Sequence, residues 1–329
     1  MDLIKNTGIS AQKLHTALAL WPGLGGSQST LINHTENATF RLDLPQGGKR
    51  ILRVHRLGYN GDRAILSELV WAKALRDDTG IKTPIAVAGN DGSLVQRFAV
   101  GPSDQQHYMV LFEFEAGREP LDSEDLIEPF KQLGQLAARA HNHVQHWALP
   151  SDFERLRWDA NSILDENGLW GDWRQAPGMN AVYRPVFDQL DSMLRERLHR
   201  FGQGIDRYGL IHADMRLANL LINGDQIKLI DFDDCGFCWH LYDFAAAVSF
   251  IEDSPQIPVL KSAWLSGYRA KRPLSQAEED EIDTFIMLRR MALTAWIGSH
   301  SETAFAQSLA VDFVPRGAVL AHKYLAKFR

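Results

Sequence analysis

Apolar residues recur along this chain with two periods, and the change between them divides it. Up to about residue 114 the dominant period is two. Ala38, Phe40, Leu42 and Leu44 alternate with polar residues, the pattern of a strand with one buried face. Ser27 to Leu44 reads as two strands joined near residues 33–37, Pro45-Gln46-Gly47-Gly48 turns the chain, and Arg50 to Val54 is a third strand. Pro84 to Phe98 predicts two strands around Asn90-Asp91-Gly92, and His107 to Phe114 one more. Two helical stretches interrupt this region. One runs from Ser10, as N-cap, to Leu20 and is ended by Trp21-Pro22-Gly23. The other runs from Asp62 to Arg76, with Ile65, Leu69, Trp71-Ala72 and Leu75 as its apolar stripe.

The character changes at Gly117, and from there the period is helical. Glu124 to His146 predicts a long helix with Leu126, Phe130, Leu133, Leu136-Ala137 and Ala140 on one face. Helical patterning returns from Ala181 onward, at Leu241–Ala247, and as amphipathic helices at Ile282–Ile297 and Ala304–Leu325. One stretch breaks this pattern, Leu210 to Asp234, LIHADMRLANLLINGDQIKLIDFDD. Leu210-Ile211 ends a strand and Asn219–Ile222 starts another. Asn223-Gly224-Asp225 is a tight turn, and Ile227–Ile230 is the return strand. Asp214 and Asn219 then share a loop, and Asp231 leaves the end of the return strand, so the three can converge. A carboxylate, an amide oxygen and a second carboxylate form a hard-oxygen set that suits Mg²⁺, with phosphate oxygens and waters completing the octahedron. Asp214 is left to face an incoming hydroxyl.

His212-x-Asp214-x4-Asn219 followed by Asp231-Phe232 resembles the catalytic loop and magnesium segment of the protein-kinase-like fold. The form HAD…N…IDFDD resembles the aminoglycoside phosphotransferase branch, in particular its homoserine-kinase and stress-response-kinase relatives. That resemblance implies an α+β, two-lobed architecture. A small antiparallel sheet with one long helix would occupy residues 1–112, a hinge 113–117, and a mainly helical catalytic and substrate-binding lobe 118–329. It implies ATP and Mg²⁺ as cofactors and a small-molecule hydroxyl as acceptor. Asn219 and Asp231 would be metal ligands, with Asp233 joining a second metal or shaping the loop. Asp214 would take the hydroxyl proton, and His212 would organise the loop. Arg216 stands where a protein kinase carries a lysine that touches the γ-phosphate; the alternative is a solvent-facing loop arginine.

In the first lobe, the phosphate-holding cation falls on Arg53, where protein kinases have lysine. Arginine can grip phosphate bidentately, so the electrostatic role survives with altered geometry. Glu68 resembles the helix carboxylate that orients this cation, against the plainer reading of an exposed helix glutamate. The hairpin tip lacks Gly-x-Gly-x-x-Gly, and Thr35 to Asn37 would cover phosphates in its place, or simply form a solvated turn. In LFEFEAG, which resembles the hinge, the Glu113 carbonyl and the Glu115 N–H would read adenine. Asp243 resembles a buried aspartate that bonds the catalytic loop's backbone; a helix-start acid favoured by the dipole is the other reading.

Composition narrows the function classes. The chain has 329 residues, enough for two lobes, with ordinary hydrophobic (45%) and charged (23%) fractions. A net charge of −6 with no basic stripe gives no support for a nucleic-acid binder. No apolar run approaches the length of a membrane span, and the N-terminus lacks a signal-peptide layout, so a cytoplasmic location is expected. Cys235 and Cys238 form a Cys-x-x-Cys with no second pair, and are read as incidental thiols. His141 and His143 lie two apart on a helix and face different ways, so packing or surface roles are expected there instead of a metal cluster. Three activities compete: a small-molecule kinase, a protein Ser/Thr kinase of the stress-response type, and a nucleotide-binding pseudokinase. The segment between Asp231 and Asp243 is too short for a protein-kinase activation loop, and the full Asp214/Asn219/Asp231 set opposes the third.

Overall fold

The structure is a computed structural model that describes residues 11–34, 37–99, 106–120 and 125–328. The chain separates into two units. The first holds the residues up to Gly117 together with Leu149–Arg155, and the second holds Arg118–Ala148 and everything from Leu156 onward. The short return of Leu149–Arg155 to the first unit has no counterpart in the boundaries read from the sequence.

The first unit is a sheet covered on both faces. Its strands are β1 (Gln28–His34), β2 (Ala38–Asp43), β3 (Lys49–Val54), β4 (Ala86–Val87), β5 (Val95–Ala99) and β6 (Gln106–Glu113), all paired antiparallel. The two strands expected at 84–98 exist but do not pair with each other, since β4 and β5 each pair with β6. Alternation of side chains across β6 builds two cores. Met109 and Leu111 join Phe40, Leu42, Leu52 and Val54 against α1 (Ala11–Ala17) and the 3-10 turn after it. Val110 and Phe112 face the other way, onto Ile65 and Leu69 of α2 (Asp62–Ala74). The same parity places Arg53, between Leu52 and Val54, on the α2 side of the sheet. The proposed start of the first helix at Ser10 and the tip residues Thr35 and Glu36 lie outside the described residues.

The second unit is mainly helical. Its helices are α3 (Ile127–Val144), α4 (Ala160–Leu164), α5 (Arg184–Phe201), α6 (Tyr242–Ala247), α7 (Ile257–Arg269), α8 (Gln276–Asp280), α9 (Ile282–Ser299), α10 (Ala304–Ala310) and α11 (Phe313–Phe328). The expected start of α3 at Glu124 lies outside the described residues. The run at 304–325 is two helices, interrupted at Val311 and Asp312. α3 and α7 touch backbone to backbone. A Cβ on Gly134 would lie 2.1 Å from the Trp264 carbonyl oxygen, and one on Gly267 1.8 Å from that of Lys131. α9 departs from the expected amphipathic pattern, because nearly every residue from Ile282 to Ile297 is buried, Arg289 and Arg290 included. It packs against α5, α6 and α11, so it has no solvated face to mark with polar residues.

Two small sheets carry the central loop. β9 (Leu220–Asn223) and β10 (Gln226–Leu229) form the hairpin, with Gly224 at a left-handed φ of 60° in its turn. The first strand begins one residue later than expected, because Asn219 closes a 3-10 turn (Leu217–Asn219). β8 (Tyr208–Ile211) and β7 (Leu156–Arg157) flank β11 (Gly236–Trp239), a strand the sequence reading did not include. Among the described residues, no helix is long and apolar enough to cross a membrane.

Candidate active site

The loop after β8 is held by its own backbone and by groups beneath it. Ala213 takes a left-handed φ of 64°, which a non-glycine residue adopts only under constraint. The constraint is visible: its N–H donates to Asp243 Oδ1 at 2.8 Å. Asp243 opens α6, and its Oδ2 accepts from His141 Nε2 on α3 at 2.9 Å. The Tyr268 hydroxyl lies 2.9 Å from the other nitrogen of His141. Burial pushes the Asp243 carboxyl up to about 6, against the opposing pull of His212 and the backbone N–H groups of Ala213 and His212. His141 is thus a packing residue, stacked on His240 with ring centroids 4.6 Å apart, as its helical spacing implied.

His212 is fully buried between two backbone partners. Its Nδ1 accepts from the Asp214 N–H at 3.3 Å, so the ring proton sits on Nε2 and is donated to the Ile230 carbonyl at 3.1 Å. Burial lowers its pKa, although Asp243 and Asp214 act the other way, and the neutral tautomer fits that. With both nitrogens engaged and the ring against Phe232, His212 ties the loop to the hairpin's return strand.

Asp214 is where the polar groups meet. Asn219 Nδ2 donates to the Asp214 carbonyl at 2.8 Å and to its Oδ2 at 2.7 Å. Both partners are acceptors, which fixes the amide with its nitrogen toward Asp214 and its Oδ1 away. Arg216 Nε donates to the same Oδ2 at 3.1 Å. The Arg216 side chain is about a quarter exposed, so it is neither a freely solvated arginine nor a buried one. The Ile230 N–H donates to the Asn219 carbonyl at 2.9 Å, which draws Asp231, the next residue, to the same place. Asp231 holds a left-handed φ of 60°, and Asp233 is buried two residues on. Burial of Asp214 favours its neutral form, but Arg216 and Arg289 outweigh that and hold the carboxyl below its ordinary range.

Arg289 was not found from the sequence. It lies on α9, is buried, and donates from Nη2 to Asp214 Oδ1 at 2.6 Å, from Nη1 to the Ala213 carbonyl at 3.2 Å, and from Nε to Ser249 Oγ at 3.0 Å. Its guanidinium also faces the rings of Trp170 (4.9 Å) and Tyr242 (5.7 Å). The available signal was the Arg289-Arg290 pair inside an apolar helical run, since buried charges occur only with partners.

In the first unit, Arg53 Nη2 bonds both carboxylate oxygens of Glu68, at 2.7 and 2.8 Å, with both side chains buried. Glu68 is therefore no exposed helix residue. Asn37, in the turn between β1 and β2, is buried, and its Oδ1 accepts from the Arg56 N–H at 3.0 Å, which ties the turn to the chain after β3. β6 ends at Glu113, whose N–H is used by the Ile85 carbonyl, and 114–117 leaves the sheet as irregular chain that includes Glu115. Cys235 and Cys238 are buried free thiols, and burial raises the Cys238 pKa well above the ordinary value, which suppresses thiolate chemistry.

An aspartate held below its ordinary range and bonded by the Asn219 amide is an arrangement that phosphoryl transfer can use. Comparison with known proteins agrees. The phosphotransferase enzyme family matches residues 29–274, and the chain belongs to that family. A solved structure of a microcompartment-associated aminopropanol kinase superposes with a TM-score of 0.88 at 37% identity, covering 95% of this chain and 97% of that one. Amicoumacin kinase of Bacillus subtilis (strain 168) is 25% identical over 70% of this chain and 68% of its own length. Homoserine kinase of Gluconobacter oxydans (strain 621H) is 25% identical over 76% and 74%. The protein is thus a kinase of the small-molecule class. Strand β11 occupies much of the short segment between Asp231 and Asp243, where a protein-kinase activation loop would have to fit.

Proposed function

We propose that this enzyme moves the γ-phosphate of ATP to the hydroxyl of a small amino alcohol of the aminopropanol type, in the cytoplasm. The observation that carries the chemistry is the Asn219 amide, which binds Asp214 with its nitrogen and so makes base and metal ligand one rigid unit. The narrower acceptor rests on the 37% identity to the aminopropanol kinase along nearly all of both chains.

In this reading, Asn219 Oδ1 and the Asp231 carboxylate hold Mg²⁺, with Asp233 as a further oxygen; the donor set is the hard one this ion takes. The bound ion supplies charge neutralisation at the phosphates. Asp214 accepts the acceptor's hydroxyl proton and aligns its oxygen. A carboxylate held below its ordinary pKa is a weak base, which suffices because phosphoryl transfer has a loose transition state that asks for positioning more than for strong proton abstraction. Arg216, anchored through Nε, keeps its two Nη groups for the transferred phosphoryl. Arg53, aimed by Glu68, holds the nucleotide phosphates, and main-chain groups of Glu113 and Glu115 read the base.

The test is ADP release with Mg-ATP against 1-amino-2-propanol, 2-aminoethanol, homoserine, choline and an aminoglycoside. Dependence on a small amino alcohol is the expected result, and turnover only with homoserine or an aminoglycoside would displace it. Asp214→Asn is expected to lower kcat by about 1,000-fold or more while ATP still binds. Loss of ATP binding instead would make Asp214 a fold residue.

A further inference from the structure

Arg289 has no place in the mechanism so far, yet it makes the shortest polar contact of Asp214. A buried guanidinium is costly unless its N–H groups are matched. Here the planar fork spans three acceptors on two separate segments: Asp214 Oδ1 and the Ala213 carbonyl in the loop, and Ser249 Oγ just after α6. Ser249 precedes Phe250, a bulky residue at a left-handed φ of 72°. The Phe250 ring packs against Phe305 (5.3 Å), Phe313 (6.3 Å) and Trp296 (6.5 Å), which can hold such a conformation in place. The strained turn thereby fixes the hydroxyl that anchors Arg289, and α9 supplies its rigid base.

We infer that Arg289 is a positioning residue of the transfer reaction: it donates to Asp214 Oδ1 from the buried side and locks the carboxylate in one orientation toward the acceptor hydroxyl. Oδ2 accepts from the Asn219 amide and from the partly exposed Arg216, so the orientation that Arg289 sets is shared with the proposed metal ligand and the proposed phosphoryl-contacting arginine. An orientation error at Asp214 is costly because in-line transfer tolerates little displacement. This inference rests on Asp214 being the base.

The experiment measures kcat and KM with Mg-ATP and whichever panel alcohol releases most ADP, for Arg289→Ala, Arg289→Lys and Asp214→Asn in the full chain. Arg289→Ala, folded by circular dichroism, is expected to lose about 100-fold in kcat with KM for ATP within about threefold. Added guanidinium at tens of millimolar should restore about tenfold of that loss, while sodium chloride at the same concentration restores none. Arg289→Lys is expected to fall about tenfold, since one ammonium cannot span Ser249, Ala213 and Asp214 together. A folded Arg289→Ala that keeps kcat within about threefold, or loses it without guanidinium rescue, overturns the inference. Should Arg289→Ala not fold, Arg289→Lys decides, and wild-type kcat in that variant overturns it. An active Asp214→Asn enzyme would instead remove the base assignment itself, whatever the Arg289 variants do.

Discussion

Both units bury an arginine against a carboxylate, and the two pairs are built differently. In the first unit, Arg53 and Glu68 are 15 residues apart and face each other across one strand-to-helix packing, two bonds from one Nη to both carboxylate oxygens. In the second, Arg289 and Asp214 are 75 residues apart, and each has several other polar partners. A closely matched pair concentrates its energy in one contact. A network distributes it, so that losing one member leaves the others partly satisfied. Loss of the pair should therefore show first in stability and ATP binding, and loss of a network member first in kcat.

The largest effect that would break this contrast is on the pair. Glu68→Ala leaves the Arg53 guanidinium buried beside the Phe112 ring without its carboxylate, and is expected to cost about 3–5 kcal/mol. Urea denaturation followed by circular dichroism reads this loss. A loss below about 1 kcal/mol would mean that Arg53 finds other compensation and that the contrast is false. Asp214→Asn should cost less stability than Glu68→Ala, because Arg289 keeps Ala213, Ser249 and two rings.

A middle-sized effect separates members of the network from one another. The Asp243 carboxyl is pushed by burial up to about 6 from 3.8, so the folded state binds its proton more tightly than the unfolded chain. Its contribution to stability is complete below about 3.8 and is lost as pH rises through about 6. Asp214 has the opposite sign: its contribution is present above 3.8 and is lost only as pH falls through its depressed folded value. The window from pH 4 to 6 therefore isolates Asp243. Relative to Asp243→Asn, the wild type should lose about 2 kcal/mol across it, the part of the full linkage that falls in that window at about 1.4 per pH unit. His141 and His212 face Asp243, so the difference reads these three groups as one coupled set. Parallel stability curves for the two proteins between pH 4 and 6 would show that Asp243 does not titrate there.

What could be read in advance follows the same division. Arg53 and Glu68 were legible because strand parity and helix spacing are local, and each residue carries its own period. Asp214, Asn219 and Asp231 were legible because a hairpin brings them together within one short stretch. Arg289 was not, since nothing in the spacing of α9 says which loop its side chain will meet. β11 was missed for a related reason: Gly236-Phe237-Cys238-Trp239 is a strand only because β8 and β7 lie on either side of it. The bond from the Arg56 N–H to Asn37 was not legible, because it joins a turn to a segment 19 residues on that only the sheet brings near.

The smallest effect tests whether the first unit reads its nucleotide through backbone or side chain. Glu113 pairs with Arg50 at 3.1 Å, with the two side chains 40% and 29% exposed, so water screens the pair. Its N–H is already taken by Ile85, which leaves the carbonyl as the group for adenine in the proposed assignment. Glu113→Ala should then change stability by less than about 1 kcal/mol and KM for ATP by less than about twofold. The main chain at that position is held by the register of β6 against β3, and the side chain has no part in that register. A tenfold rise in KM for ATP with stability unchanged would assign the carboxylate itself to nucleotide binding, and the first unit would no longer be a region whose buried pair and backbone do all the holding.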